Sequence, residues 1–153
     1  MSDVRRWQVS SEADRLVCAA DARRHLLSLG VSRALALRAE LCVAELAGNA
    51  ARHAGGGEVE VATTADAIEI HVWDRGPGIE DVGLALEDGV SRGRRRSPED
   101  PARELVGMGT GLGAVSRSAD LVQLTAREGG GLHAFAALHV RTDDLSKGTR
   151  KTA

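Results

Sequence analysis

Three polar residues in the stretch ELAGNAARH have the types and the spacing to do chemistry. Glu45, Asn49 and His53 stand at i, i+4 and i+8, so in a helix they share one face. A carboxylate, an amide and an imidazole on one stripe can serve a solvent-lined cleft. The stripe also has a plainer interpretation, a polar helix face whose last histidine lies near the negative end of the helix dipole.

A second candidate ends an apolar strand in the stretch VWDRGPGIED. A buried carboxylate is costly unless it is hydrogen-bonded, so Asp74 at the end of a strand needs an explanation. It can accept a hydrogen bond from an exocyclic amine, while Gly76 and Gly78 let the backbone approach a flat ring and Pro77 stiffens the turn. Taken alone, the same pattern is also that of a common turn.

The third candidate is the glycine-rich stretch GMGTGLG, Gly107 to Gly113, immediately before a predicted helix. Alternate glycines leave backbone N–H groups unobstructed and the helix start adds positive partial charge, so the stretch predicts a phosphate site. It is not a P-loop, because no Gly-Lys-Ser/Thr follows. It is not a dinucleotide fingerprint either, because it does not follow a strand in a βαβ unit. The glycines also suit the hinge of a flexible lid.

The elements that must position these stretches follow from periodicity and from start and stop signals. A short strand is expected over 4–9, and SSEADRLVCAADARRHLLSLG predicts a first helix that stops at Gly30. A second helix begins at the N-cap Ser32 and ends in three glycines. EVEVATT and AIEIHVWD alternate with period two and predict an antiparallel hairpin. A short third helix then precedes the strands LVQLTARE and GLHAFAALHV.

Apolar residues at helical spacing predict which sides of the two long helices face the core. The stripe expected for the first helix is Leu16, Val17, Ala20, Leu26, Leu27 and Leu29. The stripe expected for the second helix is Leu35, Leu37, Leu41, Cys42, Leu46 and Ala50. Aromatic residues are scarce, so the core should consist mostly of Leu, Val, Ile and Ala.

The sum of these elements is an α+β two-layer sandwich, with a mixed, largely antiparallel sheet of four to five strands and three helices on one face. The 153 residues fit one domain, expected over 1–140. A loop at about 79–106 interrupts it, and a polar, disordered tail is expected over 141–153.

Composition argues against several classes of function. A net charge of −2 gives no reason to expect nucleic-acid or membrane binding. No apolar run reaches the length of a membrane span and the N-terminus has no secretory signal, so a soluble cytoplasmic protein is expected. Cys18 and Cys42 are predicted to be buried, reduced thiols rather than metal ligands or redox groups.

In this order the three stretches resemble the motifs of the GHKL superfamily of ATP-binding domains, which have the Bergerat fold. ELAGNAARH resembles the N-box of that family, DRGPG its adenine-contacting glycine box, and GMGTGLG its second glycine box. The resemblance covers about residues 4–140 and implies that the chain binds ATP and Mg²⁺. The loop at about 79–106 would then be the ATP lid.

The resemblance also implies a role for each matching residue. Asp74 would accept the adenine amino group, Asn49 would coordinate Mg²⁺, and Glu45, one helical turn earlier, would act as general base on an incoming hydroxyl. The other residues expected to contact the nucleotide are His53, Gly76, Gly78, Ile79, Gly107, Gly109, Thr110, Gly111, Leu112 and Gly113.

Among stand-alone members of the superfamily, the chain most resembles the RsbT-type switch kinases, through SEADRLVCAADARRHLLSLGVS and DRGPGIEDVGLALEDGVS. That resemblance implies a serine/threonine protein kinase that transfers the γ-phosphoryl group of ATP to a STAS-domain partner in a bacterial partner-switching or stress-response pathway. A sigma factor and a downstream phosphatase are further candidate partners. The alternative is an anti-sigma factor of the RsbW/SpoIIAB type, or an ATP-dependent binding adaptor without phosphotransfer.

The stretch RGRRRSPEDPARELV departs from the RsbT pattern, because it lengthens the expected lid. Its arginines, Arg92, Arg94, Arg95 and Arg96, admit two interpretations. They form a solvated lid face balanced by nearby carboxylates, or one of them reaches the phosphates or an acidic partner when the lid closes.

Overall fold

The computed structural model describes residues 2–77, 90–91, 94–95 and 111–145. The helices and strands in these ranges are β1 (Asp3–Val9), α1 (Glu12–Ser28), α2 (Arg33–Ala54), β2 (Gly57–Thr63), β3 (Ala67–Asp74), β4 (Val90–Ser91), β5 (Arg94–Arg95), α3 (Gly111–Ser118), β6 (Leu121–Ala126) and β7 (Leu132–His139), with a 3₁₀ turn at Thr142–Asp144. Apart from β4 and β5, the expected lid lies outside the described residues, as does the expected tail beyond 145. None of the described helices is both long enough and apolar enough to span a bilayer.

The ends of the two long helices are fixed by the capping residues that the sequence predicts. Ser11 caps α1, where its hydroxyl accepts a 3.1 Å hydrogen bond from the Asp14 amide. Ser32 caps α2 in the same way, accepting from the Leu35 amide at 3.2 Å. At the other end of α2, Gly55 has a φ of +72°, the left-handed conformation that favours glycine at a helix terminus.

The five long strands form one antiparallel sheet in the order β1-β2-β3-β7-β6, and the helices pack on one of its faces. This confirms the α+β two-layer sandwich. Alternate residues of the central strands point into the helix layer, so that Val59 pairs with Val72 and Ile70 with Ala136. A short, separate pair joins β4 and β5.

The expected apolar stripe of α1 is wrong in most of its members. Leu26 is buried, but Leu16, Val17, Leu27 and Leu29 are exposed. The residues of α1 that pack inward are Cys18, Ala19, Ala22 and Leu26. Apolar residues occur around the whole of α1, so their period does not identify the inner side. The small side chains face inward because they let the helix lie close to its neighbours.

The expected stripe of α2 is correct for Leu35, Cys42, Leu46 and Ala50, which are buried. It is wrong for Leu37 and Leu41, which are exposed on the outer side of the helix layer. The inner face of α2 is completed instead by Ala36, Ala39, Val43 and Ala47. Both cysteines of the chain are free and buried as expected, and burial raises the pKa of each thiol to about 12.

The open face of the sheet carries a cluster of four rings, contributed by β3 and β7. His71, Trp73 and His133 stack with ring centroids 5.0–5.2 Å apart, and Phe135 tilts against His71. His71 Nδ1 lies 3.0 Å from His133 Nε2, so the two imidazoles share one N–H···N hydrogen bond. Burial, then the charges of His71 and Arg127, lower the pKa of His133 from its usual 6.5.

Two neighbouring leucines of α1 provide a test of which side of that helix is inside. Leu26 has no exposed surface, so Leu26→Ala should destabilise the fold by roughly 2–5 kcal/mol through lost burial and an unfilled cavity. Leu27→Ala is the matched control and should stay within about 0.5 kcal/mol of wild type. Urea unfolding measures both. Equal losses of unfolding free energy in the two variants would contradict this assignment of the inner side of α1.

The lowered pKa of His133 predicts how stability depends on pH. The unfolded histidine takes up a proton near pH 6.5, whereas the folded one resists it until a lower pH. Stability should therefore fall as the pH drops below about 6.5, because the unfolded state binds more protons there. His133→Gln should make this fall shallower. Urea unfolding between pH 5 and 7.5 measures it, and parallel curves for the two proteins would refute the assignment.

Candidate functional site

The carboxylate of Glu45 lies between α2 and the start of α3. Its Oε2 atom is buried and, among the described residues, has no hydrogen-bond partner. A Cβ added to Gly111 would lie 2.5 Å from that oxygen and 3.9 Å from Asn49 Oδ1. The absence of a side chain at Gly111 therefore creates the space in which the two polar groups of α2 meet the N-terminus of α3.

This arrangement is costly in the unliganded protein. A buried carboxylate oxygen without a partner loses its hydration and gains nothing in return. The start of α3 adds backbone N–H groups and a positive partial charge on the same side. A ligand that brings a proton donor or a cation to Glu45 and anionic groups to α3 would satisfy both. The residues present therefore fit a phosphorylated ligand together with a metal ion.

Asn49, one turn along α2, is held by a neighbouring cation. Its Oδ1 accepts a 3.4 Å hydrogen bond from Arg52, whose guanidinium also lies 3.6 Å from Glu12 of α1. His53, the third residue of the predicted stripe, is partly buried in the last turn of the same helix. The three residues thus share one face of α2, as the spacing predicts.

The carboxylate of Asp74 is fixed by backbone amides at the end of β3. Its Oδ1 accepts hydrogen bonds from the amides of Gly76 at 2.9 Å and of Leu132 at 3.1 Å. Within the described residues, no hydrogen bond engages Oδ2. Two amides hold the group in one orientation, which leaves the second oxygen available to accept a hydrogen bond from a ligand.

Gly76 brings the loop after β3 against the end of α2. A Cβ at this position would lie 2.5 Å from Ala54 Cβ and 3.3 Å from the His53 carbonyl oxygen. The loop that carries Asp74 is therefore docked on the helix that carries Glu45. From Glu45 to His53 the helix rises by about 12 Å, which sets the length of the candidate site along α2.

Helix α3 is anchored at its other end by Arg38. The guanidinium of this α2 residue donates to the Ser118 carbonyl from two nitrogens, at 2.9 and 2.6 Å. Gly111 and Gly113 are buried, and Leu112 packs against the core. Gly78, Ile79, Gly107, Gly109 and Thr110 lie outside the described residues, so their predicted contacts with a nucleotide stay predictions.

The sequence-based prediction did not include the residues that hold Asp74 in place, which lie in β7 and in the turn before it. Leu132 donates its amide to the carboxylate, and Arg127 donates to the Asp74 carbonyl at 2.5 Å. Gly131 has a φ of +97°, and a Cβ there would collide with that same carbonyl. The only signal was the run of three glycines before GLHAFAALHV, which indicated a turn but not its contact with β3.

Two adjacent glycines test this contact with a matched pair. Gly130→Ala and Gly131→Ala both place a side chain at positive φ, which costs roughly 1–2 kcal/mol, but only Gly131 faces the Asp74 carbonyl. Gly131→Ala should destabilise the fold by about 1–3 kcal/mol more than Gly130→Ala, because overpacked backbone must shift. Chemical denaturation measures the difference in unfolding free energy. Equal losses of stability in the two variants would contradict the contact between Gly131 and the Asp74 carbonyl.

Comparisons with known proteins identify the family of the chain. A family model described as a histidine kinase-like ATPase domain matches residues 9–134. No curated protein sequence matches the chain. Among solved structures, a chain of the SiaB–SiaC complex from Pseudomonas aeruginosa aligns with a TM-score of 0.57 over 88% of each chain, at 11% sequence identity. Such an identity shows a shared fold and nothing more specific. The family match covers most of the chain, and the protein therefore belongs to the histidine kinase-like ATPase (GHKL) family.

Proposed function

We propose that the protein is an ATP-dependent serine/threonine kinase that phosphorylates a STAS-domain partner in a bacterial partner-switching pathway. The observation that carries this proposal is the buried Oε2 of Glu45, which has no hydrogen-bond partner in the described part of the chain and faces Gly111 at the start of α3, one turn before Asn49. A carboxylate at this point supports the kinase, because phosphotransfer to a hydroxyl uses a general base, whereas binding of ATP alone requires none.

Each end of the site has its own task in the proposed reaction. Asp74 accepts the amino group of adenine through Oδ2, while the amides of Gly76 and Leu132 hold the carboxylate still. The start of α3 at Gly111 receives the phosphates, with the preceding glycines expected to extend that cradle. The rigid helix α2 connects the two ends, so the base of the nucleotide fixes where its γ-phosphate lies.

The chemical step is an in-line displacement at phosphorus. The hydroxyl oxygen of a serine or threonine forms a bond to the γ-phosphorus, and the bond from that phosphorus to the bridging oxygen of ADP breaks. Glu45 accepts the hydroxyl proton. The Oδ1 atom of Asn49 is the side-chain oxygen that would hold Mg²⁺, an ion that neutralises phosphate charge when bound.

The alternative is that the protein binds a sigma factor or another partner without phosphotransfer. Glu45 would then have no proton to accept, and its replacement would leave function intact. The alternative shares the fold and the ATP site with the kinase, so a measurement of transfer, rather than of binding, separates the two.

The test is the intact mass of purified STAS-domain proteins from the same genome after incubation with ATP, Mg²⁺ and this protein. Wild type should add one phosphate to a serine or threonine of one of them. Glu45→Gln should slow transfer by at least about 100-fold, as expected for loss of a general base, with ATP affinity within a few-fold of wild type.

Asp74→Asn provides the complementary control. It should weaken ATP binding, measured with a fluorescent ATP analogue, because the neutral amide replaces the acceptor for the adenine amine. Transfer at saturating ATP should persist in this variant. Full transfer by Glu45→Gln would reject the base assignment. Tight binding of a STAS-domain protein without any transfer would replace the kinase with the binding adaptor.

A further inference from the structure

The outer side of the helix layer exposes a row of leucines that the core does not use. Leu16 and Leu27 of α1 are 55% and 41% exposed, and Leu37 and Leu41 of α2 are 42% and 38% exposed. We call these four residues the helix-layer patch. Isolated apolar residues on a surface are ordinary, but four large exposed leucines on the outer side of two packed helices make this side a candidate interaction site.

The packing of the two helices places these leucines side by side. Arg23 of α1 forms a 3.1 Å ion pair with Glu40 of α2, and Arg15 donates to the Ala44 carbonyl, so the helices run antiparallel. Leu27 stands one turn beyond Arg23, and Leu37 stands one turn before Glu40. Leu27 and Leu37 therefore flank this ion pair at one end of the patch, and Leu16, next to Arg15, lies toward Ala44 at the other end.

Glu12, one turn before Leu16, is a 54% exposed carboxylate, whereas the exposed charges near Leu27 and Leu37 are cationic. The side chains of Arg24 and Arg38 are 69% and 44% exposed. The carboxylates that neutralise this surface lie lower, with Asp21 at 33% and Glu40 at 24% exposed. Arg33 adds a further exposed cation at the start of α2. A partner that covers the leucines is therefore expected to carry acidic residues at its rim.

The patch leads along α2 to the candidate catalytic residue. Leu37, Leu41 and Glu45 stand at i, i+4 and i+8, so the row of exposed leucines continues into the carboxylate one turn further on. A protein bound along this row would have one of its ends at Glu45, where the proposed reaction requires a hydroxyl.

We propose that the helix-layer patch is the docking surface for the protein that receives the phosphoryl group, and that the docked element is an amphipathic helix with an apolar side and acidic flanks. The proposal rests on the proposed kinase function for the identity of the partner. Leucines of α1 and α2 provide the affinity, the arginines select acidic flanks, and the direction of α2 places the acceptor hydroxyl near Glu45.

The test compares two pairs of exposed apolar residues in binding to the purified STAS-domain proteins of the same genome. Leu37→Ser with Leu41→Ser removes half of the patch. Val4→Ser with Leu121→Ser is the matched control, because both residues are about equally exposed but lie on the edge strands β1 and β6. All four residues are on the surface, so both variants are expected to fold, and thermal unfolding verifies that they do.

The patch variant should bind its STAS-domain partner at least about tenfold more weakly, while its affinity for ATP is unchanged and the control variant binds like wild type. Saturating partner should restore phosphotransfer, since the loss is in docking and not in chemistry. Arg24→Glu should reduce the association rate and its dependence on salt.

Partner affinity that is unchanged in the patch variant overturns the proposal, and so does a wild-type protein that binds none of the STAS-domain proteins. A wild-type dimer that the patch variant converts to monomer, with partner binding intact, would assign the patch to a second copy instead. Wild type that binds a partner through the patch without transferring phosphate supports the docking surface and rejects the kinase, so the two proposals fail separately.

Discussion

The close contact between α2 and the sheet is the constraint on which the rest of the structure depends. Four alanines of this helix, Ala36, Ala39, Ala47 and Ala50, are buried. Side chains this short allow the helix backbone to lie near β2, β3 and β7 and fix its position closely. Glu45 and Asn49 are then placed by this one rigid helix, while Asp74 is placed by the end of β3.

Chain segments near the site approach α2 and one another closely at three glycines. Gly76 lies against the end of α2, Gly131 lies against the Asp74 carbonyl, and Gly111 leaves room for the Glu45 carboxylate. These contacts hold three chain segments together that are far apart in sequence. Such preorganisation lets a binding site orient a ligand without reordering the protein at the moment of binding.

The sequence predicted local features of the fold well, because the atoms that decide them are close along the chain. Ser11 and Ser32 begin the helices that they cap, and the two strands joined by a short turn form the expected hairpin. The inner sides of the helices were harder to predict. Leu16 and Leu37 looked like core residues, but close packing placed small residues inside instead, and no local pattern shows how near two elements come.

The same distinction applies to the candidate site, where features local in sequence were predictable and contacts between distant segments were not. The shared face of Glu45, Asn49 and His53 follows from helical spacing alone, and the structure has it. The hydrogen bond from Leu132 to Asp74 joins residues 58 positions apart, so only the pairing of β3 with β7 creates it. Sequence also could not predict that Oε2 of Glu45 lacks a partner among the residues that the structure describes, because pairing is a property of the packed protein and not of any motif.

The buried cysteines of α1 and α2 have a consequence for how this protein can be controlled. With thiol pKa values of about 12, only about one in 100,000 of these groups is a thiolate at pH 7, and the thiolate is the form that oxidants and electrophiles attack. Cys18 and Cys42 are thus chemically inert while the helices stay packed. Oxidants and electrophiles therefore react with these two thiols only where the packing of the helices opens.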